Sequence, residues 1–271
     1  MNSQVNPDYN EEDKKLVRLT NNGDSAALEA LIKKNQTWIY NIALKMVSRY
    51  EDAEDITQEV LVKMITKLST FKGNSSFRTW LYRIVVNHTL NMKRKPWERY
   101  NLSFDKYGDL IDNLESSEPE NTAESEILTD GTKTACMTGM LLCLDRKQRL
   151  AMIFGGILGY DSKRGAQIMN TSPANFRQIL SRARKHLRNF MFNKCGLLNE
   201  NNPCRCSAKT RAAIKRGLVN PENLKFYHHT VHRIQEFVSD NLGLVDDTLE
   251  YRMQNLYREH PLHPPPDFIR K

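Results

Sequence analysis

Apolar residues recur three and four apart along almost the whole of this chain, and nowhere do they alternate convincingly with polar ones. That spacing returns a side chain to the same face once per helical turn, whereas a half-buried strand needs every second residue apolar. The chain is therefore expected to be all-α. Leu16, Leu19, Ala27, Leu28, Leu31 and Ile32 lead into Trp38, Ile39, Ile42, Ala43, Met46 and Val47, which predicts two or three amphipathic helices. Ile56, Val60, Leu61, Met64, Ile65 and Leu68 mark the inner face of a further helix over 52–68. The stretch from Phe71 to Ser76 is a loop by composition, with Asn74 or Ser75 as the cap of the next helix. That helix carries Phe77, Trp80, Leu81, Ile84, Val85 and His88 and ends before Pro96.

At 271 residues the chain is long enough for two domains and more. Residues 97–131 are acidic and turn-rich and read as a linker, which separates a first helical domain, 1–96, from a second, 132–194. Within the second, Leu141–Phe154 reads as an apolar helix exposing Asp145, Arg146 and Arg149. A short helix over 162–169, a turn at Asn170-Thr171 and a capping Ser172 follow. Pro173 then stands at the first helical position, which it favours. The extension 195–271 contains helical patterns near 207–216, 223–242 and 246–259. His263-Pro264-Pro265-Pro266 is expected to be extended and frayed.

Charge narrows the function. The chain carries Lys+Arg 40 against Asp+Glu 32, a formal net charge of +8. A basic balance of this kind favours a polyanionic partner. Its distribution is uneven. From Ser162 to Asn199 there are eight Lys or Arg and no acid, whereas Asp105–Asp130 holds nine acids and one Lys. No signal sequence opens the chain and no run approaches the ~18 apolar residues of a membrane span, so a cytoplasmic protein without membrane insertion is expected. No metalloprotease spacing, Gly-rich phosphate loop or nucleophile–base pair is present, and no enzymatic activity is expected.

Two constellations remain. Asp52, Asp55 and Glu59 fall three and four apart beside Glu54 and Gln58, an acidic stripe that is ordinarily a solvated surface and that as a docking face would suit a basic helical partner. On the helix after the loop, Thr79, Arg83, Asn87, Asn91 and Arg94 make a polar stripe able to bond phosphates and base edges. In the second domain, Ser172, Pro173, Ala174, Asn175, Arg177, Gln178, Ser181, Arg182, Arg184 and Lys185 lie on or lead into the outer face of a helix. Phe176, Ile179, Leu180, Ala183 and Leu187 turn inward. A capped helix with Asn, Gln and Arg early and basic residues behind fits a recognition helix in the major groove.

These residues sit in a recognisable frame. DAEDITQEVLVKM (Asp52–Met64) and FKGNSSFRTWLYRIVVNHTLNMKRK (Phe71–Lys95) resemble, nearly position for position, the second conserved region of extracytoplasmic-function (ECF) RNA polymerase sigma factors. NGDSAALEALIKKNQ (Asn22–Gln36) is similar to that family's opening helices. LDRKQRLAMIF, GYDSKRGAQIM and SPANFRQILSRARKHLR resemble its fourth region.

The resemblance implies that Asp52, Glu54, Asp55, Gln58 and Glu59 dock on the clamp helices of core RNA polymerase. It implies that Phe71, Lys72, Gly73, Asn74, Ser75, Ser76 and Phe77, with Arg78, Arg83 and Asn87, hold an unpaired −10-type promoter element with one base flipped out. The fourth region would read a −35-type element and touch the polymerase flap, and an anti-sigma factor is a further partner that the family allows. Gly165 and the Leu144-Asp145 pair depart from the family pattern, where many relatives have an acidic residue and Leu-Pro. The reading that competes with this one is a helix-turn-helix regulator acting on duplex DNA without polymerase.

Cys195, Cys204 and Cys206, in C-x8-C-x-C spacing, could join one of His228, His229 and His232 in a zinc site. Reduced or redox-responsive thiols fit them equally, and no cofactor is required by the rest of the reading. Cys136 and Cys143, on helical faces, are expected in the core. The extension is expected to fold against the core as a regulator or to sense metal or thiol state.

Overall fold

The computed structural model describes residues 11–47, 49–93 and 102–221, with 253, 256–258 and 263–269. These residues are helical with no named strand among them, so the fold is all-α. Ten helices are described: α1 (Glu11–Asn21), α2 (Ser25–Val47), α3 (Tyr50–Lys67), α4 (Phe77–Asn91), α5 (Phe104–Asp112), α6 (Ala123–Leu142), α7 (Arg146–Ala151), α8 (Ser162–Met169), α9 (Pro173–Lys194) and α10 (Cys206–Lys215). The chain divides into two compact units. One comprises Met1–Lys93, Asp161–Arg177 and His263–Lys271, the other Arg94–Tyr160 and Gln178–Leu262. Residues 161–177, read from sequence as part of the second domain, thus group with the first unit.

In the first unit α2 packs on α1 and α3, α3 on α4, and α4 on α8. Leu31, Ile39, Ala43 and Met46 from α2 meet Val60 and Met64 from α3 and Leu81 and Val85 from α4 in a core where each is fully buried. Burying one such side chain contributes about 1.5–3 kcal/mol. The predicted inner face of α3 is observed except at Ile65, which is 39% exposed. The cap of α4 is Ser76 and neither Asn74 nor Ser75: its Oγ accepts from Thr79 N at 3.1 Å. Asn74 and Ser75 instead form the turn that Gly73, at φ +72°, opens.

The second unit is held by α6. Tyr107 of α5 donates its hydroxyl to the Cys136 carbonyl at 2.9 Å, and a β-carbon at Gly139 would lie 2.3 Å from that hydroxyl. The missing side chain is what lets α5 approach. On the other side, Thr132 of α6 and Thr210 of α10 share a hydroxyl bond of 3.1 Å, and the two helices pack along their length.

One segment holds more helix than its composition suggests, and one expected helix is broken. The acidic stretch 97–131 is largely helical where it is described: Ser103 caps α5, and Thr122 with Ser125 forms a reciprocal capping box that starts α6 at Ala123. Both caps are Ser/Thr signals within a segment judged on its charge. Leu141–Phe154 is not one helix, since α6 ends at Leu142 and Asp145 caps α7, accepting from Gln148 N at 2.8 Å. Arg149 is consequently buried, at 3% exposure. It donates from Nε to Leu141 O at 2.9 Å and from Nη2 to Leu142 O at 3.0 Å and Leu144 O at 2.9 Å. It thereby satisfies carbonyls that the helix end leaves open. Beyond Ala151 the helix widens into a π-helical turn over Met152–Ile157 that contains Gly155 and Gly156.

Candidate nucleic-acid interface

The acidic stripe of α3 forms as its spacing dictates. Ala53, Ile56, Thr57 and Val60 are buried against the unit; Asp55, Gln58 and Glu59 are exposed, and Asp52 and Glu54 half-buried. Glu59 also ties the stripe to α4. It lies 3.7 Å from both Lys63 Nζ and His88 Nδ1, and Lys63 Nζ is 2.5 Å from the same imidazole nitrogen. Burial first, and then the Lys63 ammonium, lower the His88 pKa, while Glu59 opposes them. A neutral ring accepting from Lys63 fits that environment.

After α3, a 3-10 turn over Leu68–Thr70 leads into the loop. Lys72, Gly73 and Asn74 are exposed, and Ser75 and Ser76 half-buried. Phe71, Phe77 and Trp80 form an aromatic triad with all three centroid separations 5.5 Å. Phe77 is buried at 3%, whereas Phe71 and Trp80 are half-buried, so an aromatic surface remains at the mouth of the loop. Beside it the Arg78 guanidinium lies 5.8 Å from the centroid of Trp38, whose ring meets Tyr82 edge-on at 4.5 Å.

The polar stripe of α4 is shorter than its spacing suggests. Thr79 is buried, its hydroxyl accepting from Ser76 at 2.9 Å, and so belongs to the cap. Asn87 and Asn91 are exposed. Arg83, half-buried, donates from Nε to the Gln167 carbonyl of α8 at 2.7 Å. Arg94 lies outside the described residues.

The turn between α8 and α9 has the predicted chemistry. Asn170 adopts the left-handed conformation, φ 50° and ψ 54°, that ends α8. Ser172 accepts from Asn175 N at 3.1 Å, and Pro173 opens α9. Ser172, Pro173, Ala174, Asn175, Arg177, Gln178, Ser181, Arg182 and Lys185 are exposed, Arg184 half-buried, and Phe176, Leu180, Ala183 and Leu187 buried. Ile179, expected inward, is half-buried. Near the turn, Arg177 donates from Nη1 to Ser162 Oγ at 3.2 Å.

Residues 31–99 match the family model of Sigma-70 region 2. Over 189 residues the chain is 30% identical to the ECF RNA polymerase sigma-E factor of Escherichia coli strain K12, an alignment that covers 65% of this chain and 93% of that one. The chain belongs to the ECF RNA polymerase sigma factor family. It is also 37% identical over 90 residues to the RNA polymerase sigma-H factor of Pseudomonas aeruginosa, covering 32% of this chain and 47% of that one. With the ECF RNA polymerase sigma factor SigW of Bacillus subtilis it shares 32% over 95 residues, 35% of this chain and 51% of that one. The chain thus spans about half the length of these two relatives.

In this ECF sigma factor the extension begins with a closed turn. Cys195 and Cys204 pair through a parallel backbone bridge, with Gly196 N donating to Cys204 O at 3.2 Å. A β-carbon on Gly196 would lie 2.3 Å from that carbonyl and closer still to Arg205, so the turn admits only glycine. Asn202 donates from Nδ2 to Phe192 O at 2.8 Å and to Cys195 O at 3.3 Å. Cys206 then opens α10.

Cys136, expected in the core, is half-exposed as a residue. Its thiol is nevertheless desolvated and lies near those of Cys206, Cys195 and Cys204, and burial followed by Cys206 pushes its pKa up. Burial likewise pushes the Cys206 thiol up to about 12. All five cysteines are unbridged. Among the described residues no three His, Cys, Asp or Glu side chains are grouped so as to hold a metal ion. His228, His229 and His232 lie outside the described residues. No helix among the described residues is long and apolar enough to cross a membrane.

Proposed function

We propose that this chain is a promoter-selecting initiation subunit that joins core RNA polymerase and opens DNA without chemistry of its own. The observation that carries the reading is the juxtaposition on one compact unit of the acidic α3 face, from Asp52 to Glu59, with the 71–76 loop and α4. The chain also has the 30% identity to a named ECF sigma factor along nearly all of that protein's length.

In this reading Asp52, Glu54, Asp55, Gln58 and Glu59 grip the clamp helices of the polymerase. The loop from Phe71 to Phe77, with Arg78, Arg83 and Asn87, captures the unpaired −10-type strand. Phe71 and Trp80 offer half-buried aromatic surface on which an extruded base can stack, an interaction worth ~1–3 kcal/mol per base that offsets unpairing without ATP. Arg83 reaches DNA once Gln167 releases it. The exposed Asn175, Arg177 and Gln178 at the start of α9 read base edges of the −35-type element, and Arg182, Arg184 and Lys185 hold phosphates. The site of action is then the cytoplasm, where core polymerase resides, and an anti-sigma factor is a fitting antagonist.

Run-off transcription with purified core polymerase on genomic fragments tests this. Discrete transcripts that require both proteins, and that disappear with Asp55→Lys, are expected. A chain that shifts duplex DNA alone and directs no initiation with core enzyme is a helix-turn-helix regulator, and the proposal falls.

A further inference from the structure

Asn41 lies in the middle of α2 at 3% exposure, and both ends of its amide are engaged by the carboxy-terminal segment. His263 N donates to Asn41 Oδ1 at 2.7 Å, and Asn41 Nδ2 donates to His263 O, also at 2.7 Å. A second Nδ2 bond, 2.7 Å to Thr37 O, fixes the amide to its own helix. One side chain thus satisfies the N–H and C=O of a single extended residue, much as a neighbouring strand would.

The imidazole of the same residue meets Tyr50, the first residue of α3, edge-on at 5.8 Å. Lys45, one turn after Asn41 on α2, is 6% exposed and close enough to act on that imidazole. Pro264, Pro265 and Pro266 follow, and their fixed φ keeps the backbone straight where it leaves the clasp. This segment is therefore placed by specific contacts, which corrects the expectation that it frays.

Two features make the contact more than incidental packing. Beneath the docked segment the Asn41 amide is buried with partners on both ends, so losing either bond while the segment stays in place costs ~1–3 kcal/mol. The clasp also stands at the head of the acidic helix: Tyr50 precedes Glu51 and Asp52, and Tyr40, beside Asn41, is influenced by Glu51 and Glu54.

We infer that Asn41, Lys45 and Tyr50 form a peptide-docking site whose occupant is the chain's own carboxy-terminal segment, and that the docked segment competes with core polymerase for the start of α3. The second half of this inference rests on the function proposed above; the first does not.

A fluorescent peptide spanning residues 260–271 separates the two. His263→Pro, in the full-length chain, removes the N–H that Asn41 accepts and leaves the helical unit intact. The labelled peptide is expected to bind this variant at least tenfold more tightly than wild type, whose site is already filled, and adding Asn41→Ala is expected to abolish binding. Equal or absent binding to wild type and variant overturns the docking site. Affinity for core polymerase is then compared, and His263→Pro is expected to bind about tenfold more tightly than wild type. Unchanged affinity overturns the competition while leaving the docking site. Failure of both chains to bind core enzyme, with the peptide result intact, overturns the sigma reading.

Discussion

The Phe176 ring occupies the space that a side chain at residue 165 would need: a β-carbon built on Gly165 would lie 2.2 Å from Phe176 Cζ and within 2.6 Å of two further ring carbons. The first helix of the helix-turn-helix therefore touches the start of the second at a point that only glycine allows. The fully buried Phe176 ring thus fills the place that a side chain at 165 would take.

Gly165→Ala is accordingly expected to destabilise the chain by ~1–3 kcal/mol, despite alanine's better helix propensity. Combining it with Phe176→Leu should recover part of the loss, because the smaller side chain leaves room. Urea unfolding of the single and double variants measures the coupling.

Arg149 makes a second strong test. Its guanidinium holds three backbone carbonyls where α6 ends, and Arg149→Met should leave those acceptors buried and unmet at a cost of ~2–4 kcal/mol. Lys147, exposed on the first turn of α7, should tolerate the same change within about 0.5 kcal/mol. Chemical denaturation of the two variants distinguishes them.

Cys204 and Cys206 of the extension, both raised by burial, should be sluggish nucleophiles. With burial holding the Cys206 thiol near 12, almost none of it is thiolate at neutral pH. Alkylation of Cys206 by iodoacetamide in the native chain should be at least tenfold slower than that of free cysteine at pH 7.5, and should still be rising with pH above 10. Mass spectrometry of partly alkylated protein reads the rates residue by residue, and fast labelling at neutral pH would contradict the burial.

Docking of the carboxy-terminal segment should depend on pH. Burial, and then the Lys45 ammonium, push the His263 pKa down from 6.5 to about 4, so the docked state favours the neutral ring. Tyr50 also faces the ring, and Lys45, which burial lowers to about 8, stays charged across that window. Affinity of the labelled peptide for the His263→Pro chain should be steady between pH 6.5 and 7, below the range where Lys45 titrates. As pH falls from 6.5 towards 4 it should weaken by up to tenfold per unit, since the free peptide protonates and the bound one resists. A parallel peptide with Gln at that position should show a flatter profile.

On DNA, Arg177→Ala or Gln178→Ala should relax base choice at one position of the upstream element, whereas Arg184→Ala should weaken all sequences alike and reduce the salt slope. Promoter libraries assayed with the reconstituted holoenzyme resolve the two patterns.

What could be read in advance depended on how local the signal was. Asn170, Ser172 and Pro173 each act within one turn of themselves, and the α8–α9 connection was legible to the residue. The acidic face of α3 followed from spacing alone. Elsewhere local signals competed. Asn74, Ser75 and Ser76 are all capping residues, and only the geometry after Gly73 selects the third. Arg149 was read as exposed because its charge is visible and the carbonyls that bury it belong to the previous helix. Cys136 comes near Cys206 through the packing of α6 on α10, a contact between residues 70 apart that no spacing rule reports. The same distance hid the role of Asn41, whose partner lies 222 residues away.

Because Asn41 engages the main chain of residue 263 and leaves the ring to Tyr50, the two hydrogen bonds of the clasp are indifferent to which uncharged side chain sits there. The lock is cut into the helix and the key is plain backbone. The carboxy-terminal segment can therefore drift in sequence and keep its berth, provided that no proline lands at the one position whose amide proton is needed.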